Sequence, residues 1–240
     1  MTSIIPHRVL ITGASRGIGQ ATALAFAKLG VNLVLVSRSQ TDLDQVAAAA
    51  ADLGVEVQTQ VLDLAIVDQV KSRIETLVDQ FPVDILVNNA GMAYTNPLSE
   101  TQLSAWQQVL NLNLTSVFQC IQAVLPSMRD RQQGTIINIA SIAGYQAFPG
   151  WGAYNVSKAG LIALSKTLAA EERPHGIRVV TVCPGSVNTP LWETDTVQAD
   201  FDRTRMLTPE TVAQSIVHAA LLPLGAVIEE MTVMPSAGAF

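Results

Sequence analysis

The chain has 240 residues, 49% of them hydrophobic and only 14% charged, which suits one α/β domain whose sheet is covered on both faces. A net charge of −6 argues against nucleic acid as a partner. Two isolated cysteines (Cys120, Cys183) and three scattered histidines (His7, His175, His218) lack metal-ligand spacing, so reduced thiols and no metal centre are expected.

Strand signals at 8–12, 31–37, 55–62, 83–88, 134–140, 177–183 and 227–234 alternate with helical patterns at 17–29, 40–53, 66–80, 102–129, 152–172 and 209–222. This alternation predicts right-handed crossovers and a parallel sheet, and with no repeat or linker residues 1–240 read as one domain. The first strand runs into Thr12-Gly13-Ala14-Ser15-Arg16-Gly17-Ile18-Gly19 and then into a helix. Glycines there permit a tight turn and let backbone N–H groups approach a pyrophosphate at the positive helix end. The second strand ends Ser37-Arg38-Ser39, with no acid to hold the ribose hydroxyls of NAD. Arg38, with Arg16 on its other side and the Ser15 and Ser37 hydroxyls nearby, offers planar cations for a 2′-phosphate, so NADP(H) is expected.

Farther along, Asn88-Asn89-Ala90-Gly91 closes the fourth strand, and Ser141 closes the fifth. Tyr154 and Lys158 are four apart on a predicted helix and share one face. An ammonium beside a phenol favours phenolate, which predicts a Tyr154 pKa below the ordinary value of about 10. The stretch 191–208 has no periodicity and reads as a mobile lid over a substrate; Thr208-Pro209 then starts the last helix. No apolar run reaches the length of a membrane span and residues 1–6 carry no signal-peptide pattern, so a cytoplasmic protein with no membrane partner is expected.

Together these segments resemble the short-chain dehydrogenase/reductase family, and the resemblance covers nearly the whole chain. It implies a Rossmann-type doubly wound sheet of seven parallel strands in the order 3-2-1-4-5-6-7. Asn113, in Leu112-Asn113-Leu114, matches the family's catalytic asparagine and completes a tetrad with Ser141, Tyr154 and Lys158. The implied roles are a hydroxyl on the carbonyl oxygen for Ser141 and general acid/base for Tyr154. Lys158 would meet the nicotinamide ribose, and Asn113 would interrupt its helix and hold a proton-relay water. Asp63, with Leu64 beside it, matches the position that meets the adenine amino group. Asn89, Ala90 and Gly91 are placed at the adenosine ribose, and Pro184-Gly185-Ser186-Val187-Asn188-Thr189 at the nicotinamide. Pairing of the two long helices across a two-fold axis implies a homodimer or homotetramer.

Met92, Ala93, Tyr94, Ile142, Ala143, Ala147, Phe148, Trp151, Leu191 and Trp192 are the candidate substrate pocket, apolar with few polar anchors. Such a pocket fits a medium-sized ketone, aldehyde or 3-oxoacyl group, the last as an acyl thioester. The first half of the chain is similar to 3-oxoacyl-(acyl carrier protein) reductases, but the ending from Glu229 to Phe240 departs from them. An acidic carrier needs a basic entrance, for which Arg129, Arg131 and Arg173 are the candidates. An NADPH-dependent carbonyl reductase is therefore expected first and the carrier-protein reductase second. A catalytically silent NADP(H)-binding sensor or scaffold is the rival from another class, since fold alone does not give function.

Overall fold

A computed structural model describes residues 7–199 and 201–238. Residues 1–6, read above for a targeting signal, Asp200 in the expected lid, and residues 239–240 lie outside the described residues. The strands are β1 (Arg8–Thr12), β2 (Asn32–Ser37), β3 (Val57–Val61), β4 (Ile85–Asn88), β5 (Gly134–Ile139), β6 (Ile177–Pro184) and β7 (Glu230–Val233). They form one parallel sheet in the order β3-β2-β1-β4-β5-β6-β7, as expected. The two edge strands are shorter than their sequence signals, because an edge strand has a ladder on one side only and its ends lie open to water.

Side chains alternate across each strand, so β1 sends Leu10 to one face and Val9 and Ile11 to the other. Helices α3 (Val67–Gln80), α5 (Ser116–Asp130) and α6 (Gly152–Glu172) cover the first face, with Ile74, Ile121 and Leu161 in its core. Helices α1 (Gly17–Ala27), α2 (Gln40–Ala51) and α7 (Pro209–Ala220) cover the second, with Phe26, Leu43 and Ile216. Burial on both sides is why β1, β4 and β5 carry adjacent apolar residues, as in Val9-Leu10-Ile11, Ile85-Leu86-Val87 and Ile136-Ile137. Helix starts follow their caps: Ser39 accepts from Asp42 N at the head of α2, and Thr208 from Thr211 N at the head of α7.

The predicted helix 102–129 is interrupted. It comprises α4 (Leu103–Leu110), a π turn over Asn111–Thr115, and α5. By length and composition this run, Leu103–Asp130, could cross a membrane, contrary to the expectation that no segment reaches that length. In the fold it is a core helix: Val117, Ile121 and Val124 pack against the sheet and α3. Cys120 and Cys183 are buried free thiols, and burial pushes Cys120 up to about 12 and Cys183 up to about 11, which leaves both unreactive.

Candidate active site

The carboxyl ends of β1, β4, β5 and β6 open into a cleft of about 430 Å³, at the point where strand order reverses between β1 and β4. At one end lies the glycine turn. Gly13 and Gly17 have φ of +62° and +56°, and a Cβ on Gly13 would stand 2.8 Å from Ala90 Cα. A Cβ on Gly19 would meet Gly13 O at 2.2 Å, so the first turn of α1 lies directly against the loop that precedes it. Asn89 fastens this arrangement: its Nδ2 donates to Thr12 O and Gly13 O at 2.9 and 3.1 Å. Thr12 Oγ1 in turn accepts from Asn89 N and Ala90 N at 3.0 and 3.1 Å.

Gly13, Ser15, Arg16, Gly17, Ile18, Ser37 and Arg38 line this end of the cleft. The Ser15 and Ser37 hydroxyls lie 2.8 Å apart, tying the turn to the end of β2. Arg16 and Arg38 are exposed and have no carboxylate partner among the described residues. Leu64, Asn89, Ala90 and Gly91 form the adjoining wall, with Pro184, Gly185, Val187 and Thr189 facing them. Asp63 does not line the cleft; its Oδ1 accepts from Ala65 N at 3.0 Å and closes a local turn. This concave backbone cradle fits the pyrophosphate of a nicotinamide dinucleotide.

At the other end Ser141, Tyr154 and Lys158 converge on one wall. Ser141 is extended and accepts from Ala143 N, which begins a short turn after β5. Lys158, on the same face of α6 as Tyr154, is buried; its Nζ donates to Ile139 O at 2.8 Å and lies 5.7 Å from the Tyr154 ring centre. A Cβ on Gly91 would stand 3.3 Å from Asn113 Oδ1, so glycine here leaves room for the buried amide.

The electrostatics differ from the expectation. Burial raises the Tyr154 phenol above its ordinary value, and the nearby Ser141 hydroxyl lowers it only in part. Burial also pushes Lys158 down to about 8. The predicted depression of tyrosine by lysine is absent: desolvation is the larger influence on the phenol, and the Ser141 hydroxyl supplies the lowering.

Asn113 lies in the π turn, which interrupts the helix at the expected place. It is fully buried behind the cleft wall rather than on it. Its Oδ1 accepts from Met92 N, and its Nδ2 donates to Met92 O and Ser157 Oγ, at 2.8, 2.8 and 3.0 Å. Ser157 Oγ donates to Tyr154 O at 2.8 Å. Both amide hydrogens are thus committed to protein, so its side chain does not donate to the water expected of it.

Of the expected pocket residues Met92, Ala93, Leu191 and Trp192 line the cleft, whereas Tyr94, Ile142, Ala143, Ala147, Phe148 and Trp151 do not. Trp151 sits beside it, its ring edge-on to Tyr154 and to Trp192. Phe148 supplies a carbonyl to Asn155 Nδ2, Tyr94 meets Asn96, and Ile142 lies in the turn after Ser141. Gln108 and Leu112, one turn apart and just before Asn113, were not anticipated as lining residues, nor were Thr194, Asp195 and Thr196. The helical spacing of Gln108 and Leu112 ahead of Asn113 is a signal that could have found the first two. The lid segment gives none.

That segment is fastened on both sides. Thr196 Oγ1 donates to Ala93 O, Thr95 N to Thr196 O, and Gln198 N to Thr95 Oγ1, at 2.8, 2.9 and 2.7 Å. On the far side Leu207 N donates to Ser186 O, and Arg203 to Asn188 Oδ1 and Glu193.

A glycine turn and a Ser–Tyr–Lys wall at the two ends of one cleft, on this sheet, define the class: an α/β oxidoreductase acting on CH–OH or C=O groups. The sequence matches the short chain dehydrogenase family over residues 7–200, and the chain belongs to that family. It is 39% identical to a 3-oxoacyl-(acyl carrier protein) reductase of Synechocystis sp., over 97% of this chain and 96% of the other. Among solved structures it resembles an alcohol dehydrogenase of the archaeon Thermococcus sibiricus complexed with 5-hydroxy-NADP, with a TM-score of 0.87, 28% identity and coverage of 95% and 96%. A metagenomic short-chain oxidoreductase in complex with NADP gives a TM-score of 0.84 at 30% identity, covering 96% and 97%.

Proposed function

We propose that this enzyme uses NADPH to reduce a carbonyl to an alcohol, working as one cytoplasmic catalytic unit with a lid over about 191–208. The observation that carries the reading is the meeting of Ser141, Tyr154 and Lys158 in a cleft whose far end carries Arg16 and Arg38 without a neighbouring acid. When bound, the dinucleotide supplies the hydride that reaches the carbonyl carbon. Ser141 hydrogen-bonds the carbonyl oxygen as negative charge grows on it, and Tyr154 donates the proton that completes the alcohol. A phenol held up by burial is protonated at neutral pH, the state a general acid needs. Lys158 holds a cation beside the phenol and loses it as pH rises through about 8. Asn113 positions: it clamps Met92 to Ser157 and so supports the helix turn that carries Tyr154. Arg16 and Arg38 bind the 2′-phosphate, and backbone atoms of Asn89, Ala90 and residues 184–187 hold the cofactor.

The similarity to the Synechocystis enzyme favours a second reading, reduction of 3-oxoacyl groups on an acyl carrier protein. The candidate basic entrance speaks against it. Arg129 pairs with the buried carboxylate of Glu172, Arg173 pairs with Glu229 at 2.6 Å, and Arg131 donates to Ser127 and Val83 O. All three also lie at helix ends that precede β5 and β6, on the opposite edge of the sheet from this chain's own cleft. Assembly as a homodimer or homotetramer is supported by exposed Leu103, Phe118 and Val156 on α4, α5 and α6.

The test follows NADPH and NADH oxidation with ketones, aldehydes, 3-oxo esters and 3-oxoacyl thioesters. NADPH-dependent turnover is expected, faster on free carbonyls than on carrier-type thioesters. Equal rates with NADH would remove the role given to the two arginines. Replacing both by alanine is expected to lower the preference for NADPH about 10- to 100-fold.

A further inference from the structure

The lid carries one side chain that reaches both ends of the chemistry. Trp192 stands in the 3-10 turn Pro190–Glu193 and lines the cleft. Its indole Nε1 donates to Val187 O at 2.7 Å, and Val187 belongs to the segment facing the glycine turn across the cleft. Its ring makes an edge contact with Trp151 at 5.8 Å between centres, and Trp151 makes another with Tyr154 at 5.6 Å. On its other side Phe201 closes the row at 5.3 Å. Four rings thus run from the lid to the tyrosine, and the second-last before it is hydrogen-bonded to the wall.

From this geometry we propose that Trp192 is a positioning residue with two separable effects. Through its N–H it holds the turn at Val187 in the shape that receives the cofactor. Through its ring it backs Trp151, and so fixes the orientation of Tyr154 toward the carbonyl. Neither effect requires Trp192 to touch a reacting atom. Val187 is buried, and lifting Trp192 away would leave its carbonyl without this donor, so opening the lid loosens the cofactor side and the acid side together. Aromatic edge contacts are directional, which lets one ring set the angle of the next. This inference rests on the reading of the chain as a dinucleotide-dependent reductase.

Trp192→Phe keeps a ring between Trp151 and Phe201 and removes the N–H. Trp192→Ala removes both. The experiment measures the Kd of whichever of NADPH and NADH the wild type binds more tightly, by nicotinamide fluorescence. It adds kcat and KM on the best carbonyl, and the melting temperature of each variant. Trp192→Phe is expected to raise the Kd about 2- to 10-fold, the effect of one lost hydrogen bond, and to lower kcat less than Trp192→Ala does. Trp192→Ala is expected to raise the Kd similarly and to lower kcat about tenfold or more, as a misaligned acid would. A purely structural tryptophan would lower the melting temperature in both variants without dividing Kd from kcat. Unchanged cofactor binding in Trp192→Phe, or unchanged kcat in Trp192→Ala, overturns the proposal. If Trp192→Ala does not fold, the Trp192→Phe binding measurement still decides. A wild type that binds neither dinucleotide would overturn the functional reading, and this one with it. A wild type that binds while Trp192→Phe matches it would overturn only this one.

Discussion

The two halves of the cleft are built by different means. The cofactor half is fixed from inside: Thr12, Asn89, Gly13 and Gly19 interlock through hydrogen bonds and van der Waals contact at the ends of central strands. The substrate half is fixed from outside, by hydrogen bonds of Thr95, Thr196, Asn188 and Arg203 along a segment with little buried apolar surface. An interlocked core gives way only as a whole, whereas an edge held by separate bonds gives way one bond at a time. The contrast suits a site that must keep its cofactor cradle while substrates come and go.

That contrast can be broken in graded steps. The largest effect lies where the halves meet: Tyr154→Phe is expected to lower turnover about 100- to 10,000-fold, with cofactor binding and melting temperature nearly unchanged. Loss of binding instead would place Tyr154 in the cradle rather than the chemistry.

Lys158 gives a stability signature. Its folded pKa of about 8 lies below the ordinary 10.5, so below pH 8 its buried charge opposes folding in full. Between those values the unfolded chain binds more protons than the folded one, and the opposition fades as pH rises. Chemical denaturation without cofactor should therefore show wild type gaining about 3 kcal/mol on Lys158→Met from pH 8 to 10.5. A parallel pH course for the two proteins would contradict this.

Gly19→Ala tests the cradle itself. Its Cβ would stand 2.2 Å from Gly13 O, so a loss of about 1–3 kcal/mol in thermal or urea unfolding is expected, together with weakened dinucleotide binding. Thr196→Val should do least. It removes the bond to Ala93 O, and we expect a rise of a few fold in substrate KM with global stability lowered by no more than about 1.5 kcal/mol. A Thr196→Val protein as damaged as Gly19→Ala would mean that the halves are not built differently.

The same contrast explains what the sequence disclosed. The glycine turn and the Ser141–Tyr154–Lys158 wall were legible from local spacing along a strand end or helix face, and Asn89 from the family resemblance. Asn113 was legible as a helix interruption only through the family resemblance, and its Met92 and Ser157 partners were not, being long-range contacts. Trp151, Phe148, Ile142 and Tyr94 were placed in the pocket on residue type alone, and tertiary packing decided otherwise. Thr194–Thr196 escaped notice because a segment without periodicity does not show which side chains face inward. The direction of the Tyr154 shift was missed because charge spacing is visible in a sequence and depth of burial is not.

The π turn at Asn111–Thr115 has one more consequence. A residue added to a helix rotates everything beyond it by about 100°. Before the turn, Gln108 looks into the cleft; after it, Val117, Ile121 and Val124 look into the core. The turn is thus a phase shift that lets one continuous rod serve two walls. Deleting one residue there would leave a smoother helix whose two halves no longer agree on where the protein is.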